Sequence, residues 1–192
     1  MRLVTFGVVT VLAAAATSLA AEELLEVRAE AADTATRAAG AGDADASCPP
    51  GYGCVTHLPL PRFVSLKGEE GNARRGPGLT HRIDWIFTRP GMPLKITAEY
   101  DNWRRVEDQD GAGGWVHYAL LSGVRTALVT LDMAELHLAP DPDSRVVAQA
   151  EMGVVVRLLA CRPEWCRVSA DGEKGWIEAN ALWGVFPGEI ID

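Results

Sequence analysis

The sequence WRRV at residues 103–106 recurs as WCRV at residues 165–168, an offset of 62 residues. Downstream of each copy, GWV at residues 114–116 recurs as GWI at residues 175–177, an offset of 61. Landmarks that keep their order and drift by only one residue indicate two copies of one structural unit. Each copy spans about 60 residues, which is the size of one small domain.

The chain from Leu58 onward consists of short alternating runs broken by Gly, Pro, Asn and Asp. This texture is typical of short strands joined by tight turns, and it predicts an all-β fold. Because units this small are marginally stable alone, we expect the two to pack together, with residues 124–127 as the seam. The strands predicted in the first unit are residues 63–67, 71–75, 84–88, 94–100, 103–107 and 114–117.

Three motifs of the first unit carry a family resemblance. NARRGP at residues 72–77, WRRV at residues 103–106 and GWV at residues 114–116 resemble the pattern of the bacterial SH3 (SH3b) domain. The lead-in at residues 58–67 and the ending at residues 182–185 are further similar to exported proteobacterial SH3-like proteins of unassigned activity. The resemblance implies two tandem five-stranded barrels, a fold often used to bind cell-wall peptides or to position a partner enzyme.

The first twenty residues have the layout of a secretory signal peptide. Arg2 precedes an apolar run over residues 3–16, and small residues at Ser18 and Ala20 fit cleavage after Ala20. An uncleaved anchor is the alternative, although the run is short for a bilayer span. The predicted organisation is a signal peptide at 1–20, an Ala/Glu-rich tether at 21–57, barrel 1 at 58–125 and barrel 2 at 126–192.

Four cysteines occur as two close pairs, Cys48 with Cys54 and Cys161 with Cys166. Behind a signal peptide, an even count in local pairs predicts two disulfides. A zinc site is disfavoured because neither pair has the two-residue spacing that is typical of zinc ligands. The repeat alignment places Glu99 and Arg104 at the positions of Cys161 and Cys166, so an ion pair is expected in barrel 1. Such a pair contributes about 1 kcal/mol or less if exposed.

Charge and composition exclude several functions. The net charge is −8 and the sequence has no basic stripe, which argues against nucleic acid and anionic membranes as partners. We expect no membrane insertion after signal cleavage, no metal and no cofactor. The four histidines share no motif with an acid, and no nucleophile setting is recognisable. The sequence therefore predicts a protein that is not an enzyme.

Candidate ligand-binding residues cluster in barrel 1. Trp103 and Val106 lie three positions apart, so either a bulge brings both inward or Trp103 lies outside the barrel as a stacking platform or packing residue. Arginines near the turn at residues 76–78 are suited to bind a carboxylate, with solvated surface charge as the alternative. Trp115 and Trp176 are expected in the core. The predicted binding set is Asn72, Arg74, Arg75, Trp103, Arg105 and Tyr118.

These features favour a periplasmic or secreted, non-catalytic binding module. Its expected ligand is the peptidoglycan stem peptide, bound through barrel 1. The alternative is a protein-interaction scaffold in which the exposed aromatics and the tether engage another protein of the cell envelope.

Overall fold

The computed structural model describes residues 48–192, and in these residues the regular structure is β-strand apart from two short 3₁₀ turns. The predicted all-β fold is confirmed. The predictions of a signal peptide and of most of the tether fall on residues 1–47, outside the described residues. Within residues 48–192, no helix has the length and apolar character needed to cross a bilayer.

Fourteen strands follow one another along the chain, seven in each repeat. In repeat 1 they are β1 (Arg62–Leu66), β2 (Gly71–Arg74), β3 (Ile83–Phe87), β4 (Pro93–Tyr100), β5 (Trp103–Glu107), β6 (Gly113–His117) and β7 (Leu121–Ser122). In repeat 2 they are β8 (Thr126–Val129), β9 (Ala134–His137), β10 (Val146–Ala150), β11 (Val155–Cys161), β12 (Trp165–Ala170), β13 (Glu173–Glu178) and β14 (Leu182–Trp183). The six strands predicted in the first unit occur within one residue of their expected bounds.

The two repeats have the same topology. The first sheet has the order β3-β2-β6-β5-β4-β1-β7, and the second has the order β10-β9-β13-β12-β11-β8-β14. All pairs are antiparallel. Each sheet contains seven strands. In the first sheet these are the six strands predicted from the sequence and the short β7.

Each sheet is strongly curved. The 3₁₀ turn Tyr118–Leu120 connects β6 to β7, which are four strand spacings apart in the sheet order. Four spacings measure about 19 Å across a flat sheet, whereas the four chain steps from His117 to Leu121 reach at most about 14 Å. The sheet must therefore curl back on itself, as a small barrel does. The turn Ala179–Ala181 imposes the same curvature on the second sheet.

A β-bulge sets which side chains of β4 face the core. The pairing of β4 with β5 shifts between Ile96 and Ala98, and that of β11 with β12 shifts at the equivalent place. Ile96 is paired with Val106, and Glu99 with Arg104, so the bulge puts Ile96 and Glu99 on one face although they are three residues apart. The hydrophobic core of repeat 1 is formed by Leu66, Ala73, Phe87, Leu94, Ile96, Val106 and Val116.

An aromatic cluster joins the two repeats. The ring of Phe63 on β1 meets Trp183 on β14 edge to face, with centroids 5.2 Å apart. Phe186 lies on the same ring, at a centroid distance of 4.8 Å. Aromatic pairs in these geometries contribute beyond their buried area. The repeats thus pack against each other, as their small size led us to expect.

Polar contacts fix the same junction. The guanidinium of Arg125 donates to both carboxylate oxygens of Glu189, at 2.7 and 3.0 Å, and to the carbonyl of Gly184 at 2.9 Å. Burial would raise the pKa of Glu189, but the hydrogen bonds and charge of Arg125 outweigh it and lower that pKa. The Thr126 hydroxyl donates to the carbonyl of Gly91 at 2.7 Å. Arg125 and Thr126, which make these contacts, lie within residues 124–127, where the sequence placed the seam.

Candidate functional site

The outer face of repeat 1 carries a row of three large side chains. In the strand pairing, Trp115 on β6 stands opposite Arg74 on β2 and opposite Arg105 on β5. Residues directly opposite each other share a face. Their strand neighbours Ala73 and Val116 are fully buried in the core, so Arg74, Trp115 and Arg105 lie on the outside of the sheet. We call these three residues the Arg-Trp-Arg row.

The two arginines of the row differ in their freedom. Nη1 of Arg74 donates to the carbonyls of Leu79 and His81, at 3.0 and 2.7 Å, and so holds the loop between β2 and β3. The guanidinium of Arg105 is exposed and has no hydrogen bond or ion pair within residues 48–192. Arg105 therefore has all its donors available to a ligand.

Arg75 lies next to the row but is already paired. Its Nε is 2.9 Å from Asp84, and Nε of Arg82 is 2.7 Å from the same carboxylate. The hydrogen bond from Arg75, followed by that from Arg82, lowers the pKa of Asp84. Two cations thus share one acid at the surface, leaving an excess of positive charge there.

The remaining predicted binding residues are placed around this row. Trp103 is only 8% exposed and meets the ring of His117 edge to face at 5.5 Å. The bulge is on β4, so β5 alternates regularly and Trp103 lies on the face opposite Val106. Because it is buried there, Trp103 has the packing role that was one of the two alternatives from the sequence. Tyr118 is half exposed and lies against His117 at 4.9 Å. Asn72 is half-buried opposite Ile86.

Trp115 and Trp176 are not in the core, contrary to expectation. Adjacent residues of a strand point to opposite faces, and Val116 and Ile177 occupy the inward positions. The two indoles are half-buried on the outer faces. The volume argument failed here because neighbouring Val and Ile side chains already fill these small barrels. Strand alternation next to the apolar residues Val116 and Ile177 was the signal that could have placed Trp115 and Trp176 on the outer faces.

Repeat 2 carries a different row at the same position. Trp176 stands opposite His137 on β9 and Arg167 on β12. His137 is buried, with Nδ1 2.9 Å from the carbonyl of Ser144. The guanidinium of Arg162 covers the Trp176 ring at 5.7 Å. This row is therefore partly occupied by its own chain, whereas the Arg-Trp-Arg row is open.

A cleft in repeat 2 was not predicted from the sequence. It has a volume of about 620 Å³ and lies beside Trp165. Its walls include Phe186, and the carboxylates of Glu164 and Glu178 make no ion pair within residues 48–192. The other residues that line it are Pro142, Pro163, Ala179, Asn180, Leu182, Val185, Pro187 and Gly188. The cleft is formed by segments that are distant in sequence, so no local motif predicts it.

The expected ion pair between Glu99 and Arg104 is present but is buried, not exposed. The Glu99 side chain has no exposed area, and Nε of Arg104 lies 3.5 Å from it. Glu99 also accepts hydrogen bonds from the backbone N–H of Val55 and Thr56, from the Thr56 hydroxyl at 2.7 Å, and from Arg62 at 2.6 Å. This carboxylate therefore anchors the segment that follows the Cys48–Cys54 loop.

The surroundings of Glu99 favour its ionised form. Burial would raise its pKa, but the hydrogen bonds from Thr56 and the hydrogen bond and charge of Arg62 outweigh it and lower the pKa to about 2. Cys161 and Cys166 occupy the matching position in repeat 2 and form a disulfide. Cys48 and Cys54 form the other disulfide, as predicted. No group of three or more potential metal ligands occurs within residues 48–192.

The chain is similar to known proteins at two levels, that of solved structures and that of a sequence family. Two solved structures are similar in part: NlpC2 from Trichomonas vaginalis, at 15% identity and a TM-score of 0.31, and NlpC1 from the same organism, at 14% and 0.31. The matches cover 64% and 70% of this chain, which spans about half the length of each, 48% and 50%. No curated protein matches. The family model of the bacterial SH3 domain matches twice, at residues 67–123 and 132–184. The chain belongs to the bacterial SH3 domain family and carries two copies of that domain in tandem.

Proposed function

We propose that the protein is a non-catalytic binding module of the bacterial periplasm that recognises a carboxylate-bearing peptide, the peptidoglycan stem peptide, on the outer face of repeat 1. The observation that carries this proposal is the Arg-Trp-Arg row. It combines an accessible indole with two guanidinium groups on one face of the sheet.

The chemistry of the row suits such a peptide. A guanidinium binds a carboxylate through two parallel hydrogen bonds, and Arg105 has its donors free for that purpose. The indole of Trp115 offers a rigid apolar surface against which a short peptide packs. Arg74 is held by two loop carbonyls, so little side-chain freedom is lost when a ligand arrives. Tyr118 adds an exposed ring immediately after the end of β6.

The disulfides support the proposed compartment. Two disulfides within residues 48–192 are typical of proteins that fold in an oxidising environment. The periplasm is such an environment, and it is where the stem peptide is found.

Co-sedimentation of the purified protein with isolated sacculi tests the proposal. We expect Arg105→Ala and Trp115→Ala each to weaken binding about tenfold, since each removes about 1.4 kcal/mol of contact. Arg167→Ala, the equivalent change in repeat 2, is the matched control and should bind as wild type does. Trp103→Ala is avoided because that side chain is buried.

A second candidate function, a protein-interaction scaffold, is favoured by the cleft beside Trp165. Its proline- and aromatic-rich walls are typical of peptide grooves, and its two free carboxylates suit a basic segment of a partner protein. If the wild-type protein stays in the supernatant when the sacculi are sedimented, stem-peptide recognition is contradicted. The scaffold is then the better proposal. Equal sedimentation of the Arg105→Ala, Trp115→Ala and Arg167→Ala variants would exclude the row as the site.

A further inference from the structure

Strand β3 forms one edge of the first sheet. It is the first strand in the sheet order, so one of its sides pairs with β2 and the other pairs with no strand of residues 48–192. An edge of this kind presents unpaired backbone N–H and C=O groups to solvent. It is therefore a place where another extended chain can add.

The side chains of β3 do nothing to block such pairing. Ile83, Trp85 and Ile86 are exposed by 38%, 47% and 48%, and Asp84 is the one charged residue of the strand. Leu79, in the loop before it, is 77% exposed. Natural proteins usually protect an edge strand with lysine, proline or a covering segment. The apolar edge of β3 lacks these protections within the described chain.

The equivalent edge of repeat 2 shows that this feature belongs to repeat 1 alone. Strand β10 occupies the same place in the second sheet, with the sequence VVAQA. Only Val146 there is a large exposed apolar side chain, and Gln149 stands where β3 has Ile86. The fold does not require an apolar edge strand, so its presence in repeat 1 needs another explanation.

The charges around β3 indicate what kind of segment it accepts. The side chains of Arg75 and Arg82 are 66% and 69% exposed, and Asp84 is their shared acidic partner. Arg89, just beyond the other end of the strand, is already engaged, because its guanidinium donates to the carbonyl of Gly153 at 2.6 Å. The two exposed guanidinium groups of Arg75 and Arg82 share one carboxylate, which leaves a net positive charge beside β3. Such a charge attracts an acidic segment.

We propose that β3 is a docking edge that takes up an extended acidic segment of a partner protein as an eighth strand of the first sheet. Backbone hydrogen bonds along the edge supply affinity. The side chains of Ile83 and Ile86 pack against alternate apolar residues of the segment, and Arg75 and Arg82 pair with its acids. This edge borders the Arg-Trp-Arg row, because Ile83 is paired with Arg74, but Ile86 is paired with Asn72 and lies opposite no member of the row.

Hydrogen exchange with two synthetic peptides tests the proposal. The probes are acetyl-(Glu-Val)₄-amide and acetyl-(Lys-Val)₄-amide, which share a strand pattern and differ in charge. We expect the acidic peptide to slow exchange at least tenfold in β3 and to leave β10 unchanged. The basic peptide should need at least a tenfold higher concentration for the same protection. The difference should shrink as salt is raised, because screening weakens the contribution of the arginines.

Two variants locate the effect. Ile86→Glu places a repelling charge on an exposed position, so the fold is retained and protection by the acidic peptide should fall at least tenfold. Gln149→Glu, the same change at the matching position of β10, is the control and should behave as wild type. Ile86→Glu should also keep sacculus binding, while Arg105→Ala should keep β3 protection. Failure of one proposal therefore leaves the other standing.

Three outcomes would overturn the proposal. Equal protection by both peptides would show that charge does not select the segment. No protection of β3 by the acidic peptide would show that the edge does not accept a strand. A wild-type dimer in light scattering that Ile86→Glu converts to monomer would assign the edge to a second copy of the chain.

Discussion

The two repeats differ at one pair of facing positions, which holds an ion pair in repeat 1 and a disulfide in repeat 2. Where β4 pairs with β5, the facing residues are Glu99 and Arg104, and where β11 pairs with β12, they are Cys161 and Cys166. Each position also secures a flanking segment of the chain. Glu99 binds Thr56 ahead of repeat 1, whereas the backbone of Cys161 exchanges two hydrogen bonds with Ile191 near the C-terminus.

Both repeats link these two strands at this position, one through an ion pair and the other through a disulfide. A buried carboxylate can accept several donors at once and gather separate segments around it. A disulfide joins only two residues, and it acts chiefly by restricting the unfolded chain. Repeat 1 should therefore respond to acid and repeat 2 to reductant.

The largest effect is expected from Glu99→Gln. The substitution leaves the buried guanidinium of Arg104 and that of Arg62 without a counter-charge, which should lower the free energy of unfolding by about 3–5 kcal/mol. Urea denaturation measures it. Glu107→Gln, which removes a partly exposed ion pair with Lys95, is the control and should cost less than about 1 kcal/mol. Equal losses in the two variants would contradict a special role for Glu99.

Acid should produce the next largest effect. The pKa of Glu99 is about 2 in the folded protein against an ordinary 4.5. Its contribution is therefore complete above pH 4.5 and is lost as the pH falls toward 2, amounting to about 3 kcal/mol. Denaturation of wild type and Glu99→Gln across this range measures it. A wild-type decline no steeper than that of the variant would refute the assignment.

Removing the second disulfide should have a smaller effect. The double substitution Cys161→Ala and Cys166→Ala opens a short loop and should cost about 2 kcal/mol. Hydrogen exchange should show the loss of protection mainly in repeat 2. The double substitution is more selective than reduction, because reduction also opens the Cys48–Cys54 loop, whose following residues bind Glu99 in repeat 1. Equal loss of protection in the two repeats would contradict the comparison.

Much of this fold could be predicted because its signals are local. Turn residues mark the ends of the strands, and the recurrence of Trp103 at Trp165 aligns the two repeats residue by residue. That alignment alone placed Glu99 opposite Arg104. It did not reveal Arg62 or Thr56, which lie 37 and 43 residues before Glu99 and approach it only in the folded chain.

The candidate sites were less predictable. The row residues Arg74 and Arg105 were predicted from the sequence, but Trp115 was expected in the core, because large side chains were expected to fill a small barrel. The cleft beside Trp165 depends on Phe186, whose position follows from packing on Phe63 of the other repeat. No periodicity along the chain encodes a contact of that kind.

The strands, the repeat and the cysteine pairs were predictable from the sequence, since alternation, turn chemistry and spacing act over a few residues. Which side chains are buried, and which residues pair with each other, depends on the tertiary structure. Curvature of the sheets and the bulge on β4 made Glu99 a buried anchor, placed Trp115 outside and Val116 inside, and left the apolar strand β3 at an edge. These outcomes depend on which distant strands become neighbours, which local propensity does not specify.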